Sequence, residues 1–205
     1  MSTIKQALVE QFEPFEESPT REEAEEAVRT LIRFAGDNPD RKGLVDTPER
    51  VISAFDEHFA GYAIDPTNLL NQTFEETAGY SDVVTLDGIR FESHCEHHMA
   101  PIIGTATIGY IPTDRVVGIS KLARVVDAIS KRFQIQERMT AQIADAIDDA
   151  LKPSGVGVII SAEHFCMTTR GIRRPGTRLV TSQFRGEFLS NPDLQNTLRQ
   201  KDLTH

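Results

Sequence analysis

A chain of 205 residues can form one large or two small domains with an ample buried core. Its formal charge of -9 argues against nucleic acid or an anionic membrane as its main partner. The opening Met-Ser-Thr-Ile-Lys-Gln has no apolar leader core, and no stretch nears the roughly 18 apolar residues of a membrane span, so a cytoplasmic protein with reduced cysteines is expected.

Residues 1–19 carry Glu, Phe and Pro without a regular period and read as a loosely held arm. Thr20-Arg21-Glu22-Glu23 is a capping-box pattern, and Ala24, Ala27, Val28, Leu31 and Ala35 follow at helical spacing until Gly36. After the turn-forming Asp37-Asn38-Pro39-Asp40, Thr47 and Pro48 open a second helix through Val51, Phe55 and Phe59, in which His58 reads as an ordinary helix histidine. The period then switches to two. Val83 to Leu86 and Ile89 to Cys95 are expected to form a hairpin around Asp87-Gly88, with Ile89, Phe91, Ser93 and Cys95 on one face and His94 turned away. Ile102 to Ile111 gives the next strand.

Two helices follow. One starts from an N-cap at Ser120 and buries Leu122, Val125, Val126, Ile129 and Phe133; the other runs from about Gln136 with Met139, Ile143, Ile147 and Leu151 inward. Val156 to Cys166 and Arg178 to Phe188 are strand-like, the first with Val158, Ile160, Ala162, His164 and Cys166 on one face. A short helix from Asn191-Pro192 uses Leu194 and Leu198. The order is a helical region over 20–80, then ββααββ over 81–205, an α+β fold with both helices on one face of the sheet.

Chemistry concentrates in two segments. Glu92-Ser93-His94-Cys95-Glu96-His97-His98 sets three histidines beside one of the two cysteines, and Glu163-His164-Phe165-Cys166 holds the other. Cys95 and His98 are three apart, so one tight turn can bring a thiolate and an imidazole to the same ion. Adding Cys166 gives three ligands and an open fourth position, as in catalytic zinc sites, unless His97 or His164 closes it. Two ordinary buried thiols are the plainer alternative. At an open site His97 and His164 can each exchange a proton near neutral pH, as hydrolysis of a C–N bond requires.

The stretch from His164 to Arg185 has Arg170, Arg173, Arg174, Arg178 and Arg185 and no acid, a local anion site in an acidic protein. Ser120, Lys121 and Arg124 share a helix start whose amides also favour an anion. There is no G-x-x-x-x-G-K-[ST] loop, so side chains would have to hold a triphosphate. Gln136-Glu137 is either a first-turn acid complementing the helix dipole or a carboxylate able to accept two N–H donors from one edge of guanine.

The ordered blocks resemble the GTP cyclohydrolase I family. Cys95-Glu96-His97-His98, Gly109-Tyr110-Ile111-Pro112, Ser120-Lys121-Leu122-Ala123-Arg124, Gln136-Glu137-Arg138, His164-Phe165-Cys166-Met167 with Arg170-Gly171, and Thr181-Ser182 are all similar to its motifs. Asp37-Asn38-Pro39, Gly43-Leu44 and Asp46-Thr47-Pro48-Glu49-Arg50 extend the likeness upstream, so it runs from about residue 20 to 188, with His94 standing where an apolar residue is more usual. The resemblance implies a tunnelling fold whose ββααββ units join into pentameric barrels, two of which stack as a homodecamer. It implies zinc on Cys95, His98 and Cys166, proton transfer by His97 and His164, triphosphate contacts from Ser120, Lys121, Arg124 and Arg170, and guanine contacts from Gln136 and Glu137. The implied reaction is hydrolysis of GTP at C8, with release of formate and rearrangement to 7,8-dihydroneopterin triphosphate, the first step toward tetrahydrofolate or other pterins. Two rival readings are a zinc nucleobase deaminase, whose H-x-E with P-C-x-x-C pairing is absent, and a non-catalytic guanine-nucleotide-binding protein with a structural zinc.

Overall fold

A computed structural model describes residues 18–71, 73–74 and 80–202, so most of the arm expected over 1–19 lies outside the described residues. Helix α1 (Arg21–Phe34) opens with the capping box: Thr20 Oγ1 accepts from the Glu23 amide at 3.2 Å, and Glu23 Oε2 accepts from the Thr20 amide at 2.8 Å. It packs on α2 (Thr47–His58), where Arg21 reaches Asp56 at 2.9 Å and Ser53 at 2.7 Å. No residue of α1 is buried, and Leu31 and Phe34 lie exposed. Two 3-10 turns, Ala60–Ala63 and Pro66–Leu70, lead to the sheet. The buried Arg132 fastens them by donating to the carbonyls of Gly61 at 3.0 Å and Ile64 at 2.8 Å.

Four long strands form one antiparallel sheet: β2 (Val84–Cys95), β3 (Pro101–Ile111), β6 (Gly155–His164) and β7 (Arg178–Gly186), in that spatial order. The short β5 (Phe133–Gln134) adds in parallel to the end of β2, pairing with His94 and Cys95. A separate ribbon joins β1 (Thr73–Phe74) to β4 (Val116–Val117). Between β3 and β6 come α3 (Ile119–Ser130) and α4 (Gln136–Leu151). Their inward residues, Leu122, Val125, Val126 and Ile129 with Met139, Ile143, Ile147 and Leu151, pack on Ile89, Phe91, Ile102, Val158 and Ile160 of the sheet in one core. The ββααββ order and the shared helix face hold as expected. The opposite face is covered at one end by α6 (Glu187–Ser190) and α7 (Pro192–Asp202), which bury Phe188 and Leu198 against Ile111, Ile159 and Phe184.

Four local expectations give way to tertiary pairing. Asp87-Gly88 is no hairpin turn: β2 runs straight through it, paired with β3 on both sides, and the register shifts between Leu86 and Ile89. Gly88 has φ 64°, a conformation that suits glycine at a bulge as well as at a turn. Ser120 is not the N-cap of α3, because Gly118 holds that place without a side-chain hydrogen bond. Phe133 lies beyond that helix, in β5, with its ring 4.4 Å from Phe59. Cys166 does not extend β6. That strand ends at His164, and Cys166 sits in the single turn α5 (Phe165–Thr168).

Candidate metal centre and active site

The turn from β2 to β3 builds half of the site. The Cys95 carbonyl accepts from the amides of His98 at 3.3 Å and Met99 at 2.8 Å, and the Cys95 amide donates to Ala100 at 2.8 Å, with Met99 at φ 53° closing the loop. This folds the chain back within three residues and sets Cys95 Sγ 4.0 Å from His98 Nδ1 and 3.9 Å from His97 Nδ1. The other half arrives because β3 pairs with β6, setting Ile102 opposite both Ser93 and His164. The ligand atoms of Cys95, His98 and Cys166 then all lie within 4.8 Å of one another.

The donor set fits a soft divalent cation. Burial pushes the Cys166 thiol up, and the neighbouring Cys95 adds to this, since two thiolates so close repel; Arg170 pulls the other way. A cation between the sulfurs removes that repulsion, and two sulfurs with one imidazole nitrogen match zinc's preferences.

Around this group stand the residues expected to do chemistry. Burial holds His164 below the usual histidine range, opposed by the nearby Glu137 carboxylate. Its Nε2 lies 2.8 Å from Oε1 of Gln136, the first residue of α4. Glu137, the next residue, is exposed. His97 is largely exposed, with Nε2 3.9 Å from Glu96, whose carboxylate is ion-paired with Arg138. His94 points away, as its place on the strand predicts, into a ring cluster with His58 at 4.7 Å and Phe59 at 5.1 Å.

Two expectations are modified by this geometry. Gln136, expected against guanine, is wholly buried, and its amide nitrogen donates to Ile160 O at 3.1 Å, Leu179 O at 2.9 Å and Thr181 Oγ1 at 3.1 Å. Its side chain is thus turned inward and engaged with β6 and β7. Ser120 and Lys121 stand where α3 starts, at the end of the sheet away from the metal group of their own chain, and Arg124 follows about a turn along that helix. The α3 start follows β4, whose Val117 amide donates to Tyr110 Oη at 3.4 Å, and Tyr110 pairs with Val84 and Val156 at the opposite end of the sheet from Ile102. Eight residues of strand separate the two ends, about 26 Å at ~3.3 Å per residue. Among the arginines, Arg185 is paired with Asp145 at 2.7 Å and Arg178 is held by Ser161 at 2.8 Å, while Arg170, Arg173 and Arg174 occupy an exposed loop on the metal side. The Glu96–Arg138 pair behind His97 had no assigned role in the sequence. Both residues stand inside noticed motifs, but no spacing rule joins positions 42 apart.

No described helix is long and apolar enough to cross a membrane. A family model described as GTP cyclohydrolase I matches residues 24–201. The chain is 56% identical over 178 residues to GTP cyclohydrolase 1 of Maricaulis maris, covering 87% of each. It is 57% identical over 178 residues to GTP cyclohydrolase 1 of Hyphomonas neptunium, covering 87% of this chain and 86% of that one. Among solved structures it is similar to the archaeosine synthase QueF-Like in the apo form, at TM-score 0.43 and 20% identity, over 51% of this chain and 93% of that one. Since the family match reaches from within α1 to within α7, and identity exceeds half along that length, the chain belongs to the GTP cyclohydrolase I family of hydrolases.

Proposed function

We propose that this chain hydrolyses GTP at C8, releases formate and yields 7,8-dihydroneopterin triphosphate, using zinc held by Cys95, His98 and Cys166. The observation that carries the reading is the convergence of those three ligand atoms within 4.8 Å, beside His164 and the start of α4. Bound there, zinc supplies the Lewis acidity that makes water a nucleophile at neutral pH. Side chains do the rest. The exposed Glu137 carboxylate accepts two N–H donors from guanine, each charge-assisted bond contributing about 1.5 to 3 kcal/mol. Adenine lacks that donor pair and would leave the carboxylate unsatisfied. Burial favours neutral His164 at pH 7, so it takes a proton before returning it to the opening ring, and the more exposed His97 exchanges protons from the other side.

The triphosphate is assigned to Arg170 from the metal end and to Ser120, Lys121 and Arg124 of another subunit, because α3 starts at the end of the sheet away from this chain's own metal group. The edges support such an assembly. β2 is paired by β5 only at His94 and Cys95, and β7 exposes Leu179 and Val180. Joining β2 of one subunit to β7 of the next removes both edges and closes a barrel of the 81–205 domains, with pentamers stacking as a decamer in the tunnelling fold. The test is to incubate zinc-loaded protein with GTP, and ATP in parallel, and follow formate and pterin absorbance. Formate from GTP alone is expected; zinc-loaded protein that binds GTP and releases none would overturn the reading.

A further inference from the structure

We infer that Gln136 is the positioning residue for His164, its locked carboxamide taking the Nε2 hydrogen of the ring and leaving Nδ1 as the nitrogen that serves the substrate. This rests on the reading of His164 as a proton-transfer residue. The argument begins with the amide's surroundings. Gln136 is 0% exposed, and two of its three donor contacts are backbone carbonyls, Ile160 O at 3.1 Å and Leu179 O at 2.9 Å, which can only accept. Flipping the amide would set Oε1 against both carbonyls at a buried residue, so the NH2 group faces the strands and Oε1 faces His164.

The hydroxyls nearby agree with one direction of donation. Thr140 Oγ1 donates to the Gln136 carbonyl at 2.7 Å, so in its contact with Thr181 at 2.6 Å the proton comes from Thr181, whose oxygen is then free to accept from Gln136 Nε2 at 3.1 Å. The two hydrogens of Gln136 Nε2 are shared among three acceptors, the two carbonyls and Thr181 Oγ1. Oε1 carries no hydrogen, so the 2.8 Å contact to His164 Nε2 requires an N–H on that nitrogen. A neutral His164 therefore has its lone pair on Nδ1. A ring oriented by a fixed acceptor presents one nitrogen in one plane, which is what a proton-transfer group needs.

Three residues at the start of α4 thus divide the labour: Gln136 inward on His164, Glu137 outward into solvent, and Arg138 sideways on Glu96 beside His97. The experiment uses 15N-histidine-labelled, zinc-loaded protein, sedimented for magic-angle-spinning spectra, with His164→Ala assigning the signal. The expected result is a His164 ring protonated on Nε2 in the wild type and a mixture of tautomers in Gln136→Met. In kinetics Gln136→Met should keep its zinc and its KM for GTP within about twofold, while kcat falls about 10- to 100-fold, the scale for loss of a histidine's orienting partner. Placed in His164→Ala, the same substitution should cost nothing more.

A wild-type ring protonated on Nδ1, an unchanged kcat in Gln136→Met, a loss expressed in KM, or a full further loss in the double variant would each overturn the inference. Wild-type turnover in His164→Ala would overturn both this inference and the reading beneath it. An Nδ1-protonated ring together with a crippled His164→Ala would overturn this inference alone.

Discussion

Burial holds His94 below the usual histidine range, and His58, with its ring 4.7 Å away, adds to the drop. The sign follows from linkage: the unfolded chain, with a histidine pKa near 6.5, binds the proton more readily than the folded one. Stability from this group is full above about pH 6.5 and is lost as pH falls from there through the lower folded value. His94→Phe, which suits the neighbouring Phe59, is expected to flatten the acid loss; urea unfolding of both proteins at about pH 7.5 and about pH 5.5 checks it, and equal slopes would rule His94 out. At the metal group, Cys166→Ser is expected to lose zinc while the fold survives, since the core of the sheet and its two helices does not depend on a metal staple. Elemental analysis with full zinc in that variant would remove Cys166 from the ligand set. His97→Ala and His164→Ala should keep zinc and lose roughly 10²-fold or more in turnover, measured as formate release.

Among the elements, α7 shows how a short helix is fixed by two absent side chains. Leu198 rests on Gly109 and Gly157, where an added Cβ would stand 2.7 Å and 2.5 Å from its methyl carbons. Leu198 is fully buried with Phe184, Phe188, Ile111 and Ile159, so this one residue seals the end of the sheet face opposite α3 and α4. Leu198→Ala should cost about 2 to 5 kcal/mol, seen as a lower Tm, while zinc content stays full because the metal group is at the other end of the sheet. Normal thermal stability in that variant would mean that α7 contributes little to the fold. The bulge at Gly88 teaches a related lesson. Asp-Gly between two alternating runs is the usual mark of a hairpin, yet β2 continues because β3 offers pairing on both sides of it. Local chemistry permits both outcomes, and the partner strand decides.

At the scale of the whole molecule, the separation of Ser120, Lys121 and Arg124 from the metal group makes a sharp prediction. Cys166→Ser subunits and Lys121→Ala/Arg124→Ala subunits should each be inactive alone. Co-expressed or refolded together, they should regain part of the activity, because some sites then join an intact metal end to an intact phosphate end from a neighbour. Formate release no greater than the sum of the separate proteins would contradict a site shared between subunits. The exposed Leu31 and Phe34 of α1 and the open edges of β2 and β7 are consistent with a chain that does not stand alone, and sedimentation of a stable monomer at working concentration would contradict the barrel.

The sequence by itself determined whatever depends on near neighbours. The capping box at Thr20, the inward stripes of α3 and α4, the alternation from Ile89 to Cys95 and the pairing of Cys95 with His98 are all set by one helical or strand period or by one turn, and each stands where its spacing placed it. The clustering of the two cysteines with histidines already offered Cys166 as a distant third candidate ligand, and the ordered motifs carried the family. Tertiary structure alone decided what depends on pairing between segments far apart in the chain. It turned Asp87-Gly88 into a bulge, ended β6 before Cys166, set α3's start at the far end of the sheet, and buried Gln136 against β6 and β7. Gln136 and Glu137 are adjacent in sequence and look alike as hydrogen-bonding residues, but a helix turns about 100° per residue, so one faces the core and the other water. Which of the two reaches the core follows from where β6 and β7 lie, and no local pattern states that.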